Sequence, residues 1–206
     1  VHGSGSGSPV VGGATPITIA RATIDARGLL AEGNSTFSGT ARGAGLSYGT
    51  LFIGRFAAQG EVTNGRGTVD ASIAGRRSGS FAMDLKAGIA PEQVTLAARG
   101  EFAGRRITMP RRAVLARLDD GGWRLDRTLV KFGGGGVLAS GRFGGGETTF
   151  DLALSKMPLS LGDIVVPDLG LGGTISGRVD FALGPDRLPR GQARVKVDDL
   201  VRSGLV

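Results

Sequence analysis

Cysteine is absent from the 206 residues. Disulfides, zinc–thiolate sites and iron–sulfur clusters are therefore excluded. The compartment stays open, because cysteine-free chains occur in cytoplasm and periplasm alike. Histidine occurs once, as His2 in the stretch HGSGSGS, so a Ser-His-Asp triad would rest on a terminal residue. There is one Trp (Trp123), one Tyr (Tyr48) and nine Phe, too few to form the aromatic girdles of a transmembrane barrel. No apolar run approaches the ~18 residues of a membrane helix. The start lacks the basic segment and apolar core of a signal peptide. Lysine is scarce as well. Of the 25 basic residues only Lys86, Lys131, Lys156 and Lys196 are lysines.

Enzyme signatures are equally thin. Gly133–Gly136 lacks the Lys-Ser/Thr ending of a phosphate loop, and no helix is expected after it. Asp119-Asp120 and Asp198-Asp199 sit beside turns. Neighbours on a strand point to opposite faces, so neither pair makes a shared acid–base site by itself. The calcium nonapeptide of secreted β-rolls is missing. The expectation is a non-enzyme with no metal and no cofactor.

What is present is a period of two. Leu171, Gly173, Ile175, Gly177, Val179, Phe181 and Leu183 alternate with Gly172, Thr174, Ser176, Arg178, Asp180 and Ala182. Phe81, Met83 and Leu85 alternate with Ala82 and Asp84, and Phe150, Leu152 and Leu154 with Asp151 and Ala153. Val94, Leu96 and Phe102 lie in a third such run, and Val195 and Val197 in a fourth. This is the pattern of strands with one apolar and one wet face. Glycine, at 38 residues, is far above the roughly 14 that average usage of about 7% implies. In stretches such as 75–80 and 144–147 it reads as turn punctuation.

Residues 1–16 read as a Gly/Ser-rich opening stretch or linker, and 17–206 as the β-repeat region of a longer chain. Strands are predicted at about 17–26, 35–43, 48–62, 66–74, 80–87, 93–103, 105–118, 123–132, 136–143, 147–155, 172–183 and 191–200. Short turns such as NGRG at 64–67 and DDGG at 119–122 make neighbours antiparallel, hence a meander. Residues 156–173 break the alternation. Pro158 and Pro167 frame a helix of one or two turns there. A parallel α/β fold is excluded.

Two architectures remain, a sandwich with a dry core and an elongated antiparallel meander curled into an open β-groove. An open groove exposes more apolar surface than a soluble protein keeps without purpose, and its natural occupant is a long apolar ligand. The groove candidates are Phe81, Met83, Leu85, Val94, Leu96, Phe102, Phe150, Leu152, Leu154, Ile175, Val179, Phe181, Leu183, Val195 and Val197. The chain is basic, with a formal net charge of +7. Arg99, Arg105, Arg106, Arg111, Arg112 and Arg117 form its densest basic run. Two roles suit that run, a groove rim that meets phosphate head groups and a solvated face that protects sheet edges. Nucleic acid is not an expected partner, since no aromatic stacking platform accompanies the arginines.

A family resemblance enters at residues 154–184 and 188–200. Pro158-Leu159-Ser160-Leu161, Pro167, Leu169-Gly170-Leu171, Gly173-Thr174-Ile175-Ser176-Gly177 and Pro189-Arg190-Gly191-Gln192-Ala193 occur in order. This set resembles the C-terminal region of the TamB family, AsmA-like bridge proteins of Gram-negative bacteria. Residues 122–143 resemble the family's hairpins. The matching motifs cover about a third of the chain. The resemblance implies a taco-shaped β-groove in the periplasm, on a longer protein anchored in the inner membrane. It implies an outer-membrane partner of the Omp85 type (TamA-like) and phospholipid as cargo. A role in outer-membrane biogenesis and an earlier link to protein secretion come with it. The different reading, without the resemblance, is a structural or adhesive β-repeat with a dry core.

Overall fold

The computed structural model describes residues 2–10, 17–31, 34–145, 148–162, 170–184 and 189–202. The chain is nearly all β, an antiparallel meander that does not close into a barrel. Its first strands are β1 (His2–Val10), β2 (Ile17–Ala31), β3 (Asn34–Tyr48), β4 (Leu51–Thr63), β5 (Arg66–Arg76), β6 (Ser80–Ala90) and β7 (Gln93–Phe102). They are followed by β8 (Arg105–Thr108), β9 (Ala113–Arg117), β10 (Trp123–Phe132), β11 (Gly135–Phe143), β12 (Thr148–Pro158), β13 (Leu171–Leu183) and β14 (Pro189–Arg202). Strands adjacent in the chain are neighbours in the sheet, except that β9 leaves the path to pair with β10 and β7. Among the described residues no helix is long and apolar enough to cross a membrane.

The chain forms two compact units. The first comprises residues 1–91 and 98–104, the second residues 92–97 and 105–206. In the first, β2 to β6 pair in uninterrupted sequence. The NGRG turn lies where the sequence places it. Asn64 and Gly65 have φ of 52° and 73°, the mirror-image two-residue turn that matches strand twist. The Asn64 side chain accepts a hydrogen bond from the Ser35 N–H at 2.8 Å, which fastens the turn. In the second unit, β10 to β14 form the matching run.

Three features differ from the sequence reading. Residues 2–10 form a strand paired with β2, although alternating glycine and serine carry no hydrophobic period. The run expected at 105–118 is two strands, β8 and β9, separated at residues 109–112. Pro110 explains the gap, since it has no N–H to give to a ladder. The helix expected within 156–173 begins as a 3₁₀ turn at Leu159–Leu161, with Pro158 still extended before it. Residues 163–169 lie outside the described residues.

Glycine also has a second use besides turns. A Cβ on Gly43 would run into the Phe56 ring, and one on Gly141 would meet the Phe150 ring at 2.6 Å. Each ring occupies the space that a side chain on the glycine of the neighbouring strand would need.

The buried interior is small. Among the described residues the buried apolar side chains are Phe102, Ala113, Phe132 and Met157, and none is below 2% exposure. Phe132 and Met157 flank Gly135, where β10, β11 and β12 meet at the hairpin end of the second unit.

Candidate functional site

Strand register converts the alternation into a surface. In the first unit Ala22, Gly43, Phe56, Ile73 and Met83 are successive cross-strand partners. Ile24, Ala41, Ala58, Ala71 and Leu85 form the next row, and Ile19, Leu46, Ile53, Gly75 and Phe81 another. The rows between Gly28 and Ile89 and between Ala26 and Ala87 are also apolar or glycine. No charge falls on this face from β2 to β6. None of its described side chains is buried, and Ile24 and Phe37 are 54% and 55% exposed. A covered sheet face would show side chains near zero exposure, so within this unit no second layer lies over it.

The second unit repeats the arrangement with larger side chains. Val94, Leu115, Leu125, Gly141, Phe150 and Phe181 are successive partners from β7 to β13. Ala139, Leu152, Val179 and Ala193 form a parallel row, as do Val130, Val137, Leu154, Gly177 and Val195. Ile175 pairs with Val197, and Leu183 with Thr148. Leu96 pairs with buried Ala113. Phe143 stacks on Phe150 with centroids 6.5 Å apart.

The structure therefore brings Phe81, Met83 and Leu85 onto one face of the first unit. It brings Val94, Leu96, Phe150, Leu152, Leu154, Ile175, Val179, Phe181, Leu183, Val195 and Val197 onto one face of the second. Phe102 differs from them in being buried, at 7% exposure. Sequence reasoning missed the share of β2 to β5, including Ile24, Phe56 and Ile73. Their period-two signal is diluted by alanine and glycine.

The arginines of the basic run lie on several elements. Arg99 lies in the first unit on the wet face, paired with Asp84 at 3.3 Å. Arg105 and Arg106 are on β8, and Arg111 and Arg112 on the connection after it. Arg117 stacks over the Trp123 ring at 5.8 Å, at one end of the apolar face of the second unit.

The wet face carries the ionic chemistry. Lys86 pairs with Asp70 at 2.9 Å, Arg124 with Asp126 at 3.1 Å and Lys196 with Asp198 at 2.6 Å. Asp198 beside it raises the Lys196 ammonium above its ordinary value. Asp120 accepts from the Gly122 N–H at 3.0 Å and from Arg142, and these bonds hold its carboxyl below the usual range. All these pairs are exposed and contribute little to stability. A hollow of about 730 Å³ in the first unit opens on this wet face between Asp25, Arg27, Thr40, Gln59, Glu61 and Asp70. Among the described residues no three metal-ligating side chains come together.

In each unit the described residues present a broad apolar face in strict register, backed by a charged one. No family model matches the chain, and no curated protein and no solved structure is significantly similar to it.

Proposed function

We propose that this chain is a segment of a TamB-like bridge protein that carries phospholipid along its apolar sheet face between the inner and outer membranes. The observation that carries this reading is the charge-free face of β2 to β6, registered over five strands with none of its described side chains buried. A surface of that extent needs an apolar partner. Acyl chains fit because the rows are uniform. Each buried CH₂ gains about 0.8 kcal/mol wherever it lies, so a chain exchanges one row for the next at little cost. The head group stays in water. The ordered motifs of residues 154–200 support a TamB-like identity, and with it a periplasmic setting, an inner-membrane anchor and a TamA-like partner on the full-length protein.

The test is photocrosslinking in Gram-negative cells. A photoreactive residue replaces Phe81, Leu152 or Val179 on the apolar face, with Asp84, Asp151 and Arg178 as wet-face controls. Phospholipid adducts at the first three positions only are the expected result. Crosslinks within the protein, with no lipid at either set, would favour the structural or adhesive repeat instead.

A further inference from the structure

A hollow lies on the wet face of the second unit, at the β10–β11 hairpin. Thr108, Lys131, Gly136 and Ser155 are successive cross-strand partners on β8, β10, β11 and β12. Their side chains share one face, and Gly136 leaves a gap between the Lys131 ammonium and the Ser155 hydroxyl. Arg106 stands two residues before Thr108, on the same side of β8. Its carbonyl is held by the Gly133 N–H at 3.2 Å, which ties β8 to the turn. Gly133 and Gly134 form the turn with φ of 53° and 92°, and a Cβ on Gly134 would meet nothing within 4 Å. The backbone there is open to a ligand. Together these residues line a hollow of about 500 Å³.

Charge distinguishes this hollow. Five wet-face cations, Lys86, Arg99, Arg124, Arg142 and Lys196, have an aspartate partner. Among the described residues no ion pair joins a carboxylate to Arg27 or Arg178, and what marks this hollow is two cations brought together beside two hydroxyls. Among the described residues Arg106 and Lys131 have no carboxylate partner either, and no carboxylate lines the hollow. Two uncompensated cations, two hydroxyls and a glycine turn are the donors a tetrahedral oxyanion takes. The half-exposed Leu129 forms an apolar wall beside them.

We propose that this hollow binds a phosphate oxyanion, with Arg106 and Lys131 as its charged donors and Thr108 and Ser155 as its hydroxyl donors. The phosphate belongs either to a free anion or to a lipid head group. The site lies on the opposite face from the candidate lipid surface and does not depend on what that surface carries.

The experiment uses the whole chain and two probes. Inorganic phosphate is titrated calorimetrically. Phosphatidylcholine vesicles with and without phosphatidylglycerol are tested by co-sedimentation. The double variant Arg106→Gln/Lys131→Gln is compared with Arg178→Gln/Arg194→Gln, a cross-strand pair on the same face of the sheet whose loss changes net charge equally. Ser155→Ala serves as a neutral third variant. The double variant should bind at least about tenfold more weakly, the control should change by less than about twofold, and Ser155→Ala should fall between. Binding of phosphate itself identifies a free-anion site, and binding only to phosphatidylglycerol vesicles identifies a head-group site. Equal losses in the double variant and the control would reduce the effect to net charge and overturn the proposal. So would wild-type protein that binds neither probe.

Discussion

The two units use one pattern with different cover. From β2 to β6 the apolar face is rich in alanine and glycine and has no buried side chain among the described residues. The second unit carries more Val, Leu and Phe on its apolar face and, among the described residues, buries Ala113, Phe132 and Met157, whereas the first buries one apolar side chain, Phe102, at the end of β7. Phe132 and Met157 lie where β12 runs through Pro158 into the 3₁₀ turn. The difference teaches that a period of two specifies an apolar face and leaves its cover undetermined. Burial follows where strand ends and a turn fold over the face, and elsewhere the face stays open.

Truncating a side chain on each face is the strongest way to break this comparison. Phe132→Ala should cost about 3 kcal/mol of unfolding free energy, the transfer loss plus a cavity. Phe37→Ala, on the open face, should cost about 1 kcal/mol, because 55% of its surface is already in water. Urea denaturation of both variants measures the gap, and equal losses would mean that the first unit has a lid.

Smaller effects come from the glycines beside the rings. Gly43→Val should lose about 1–2 kcal/mol, since the new side chain must displace the Phe56 ring, and Gly141→Val should lose more, since it also meets the Thr149 backbone carbonyl. If the rings are what the glycines serve, combining Gly43→Val with Phe56→Ala should recover part of that loss. Thermal melts of the single and double variants would reveal the coupling.

The weakest effect is electrostatic. Asp120 is lowered in the folded chain by the Gly122 N–H and Arg142. Its contribution is therefore complete above the unfolded aspartate value of about 3.9 and is lost as pH falls through the lower folded value. Asp120 should titrate below an ordinary aspartate by NMR, and Arg142→Gln should move it upward. The pair, which is largely in contact with water, should leave the melting temperature nearly unchanged.

Much of the fold was legible because alternation is a local property. The faces carrying Phe81, Leu152 and Val179 follow from sequence parity alone, and so does the Asn64-Gly65 turn. What stayed hidden depends on pairing across strands. Gly43 and Gly141 look like breaks until register sets them beside Phe56 and Phe150. Arg99 looks like part of a basic run until β7 brings it to Asp84. The strand at residues 2–10 had no hydrophobic signal to read, and Pro110 divided a run that periodicity alone joined. The Arg106–Lys131 hollow combines four strands, so only one of its members stood out in the sequence.

Because the chain has no cysteine, a single introduced thiol reports cleanly on the central claim, that the apolar face is open and receives acyl chains. Leu152→Cys and Val179→Cys, with Asp151→Cys as the wet-face control, would carry a polarity-sensitive fluorophore in delipidated protein. The account predicts a water-like signal at all three positions, and a shift to an apolar signal at Leu152 and Val179 alone when phospholipid is added. An apolar signal at Leu152 and Val179 before any lipid is added, unchanged afterwards, would mean a dry protein core and would contradict it.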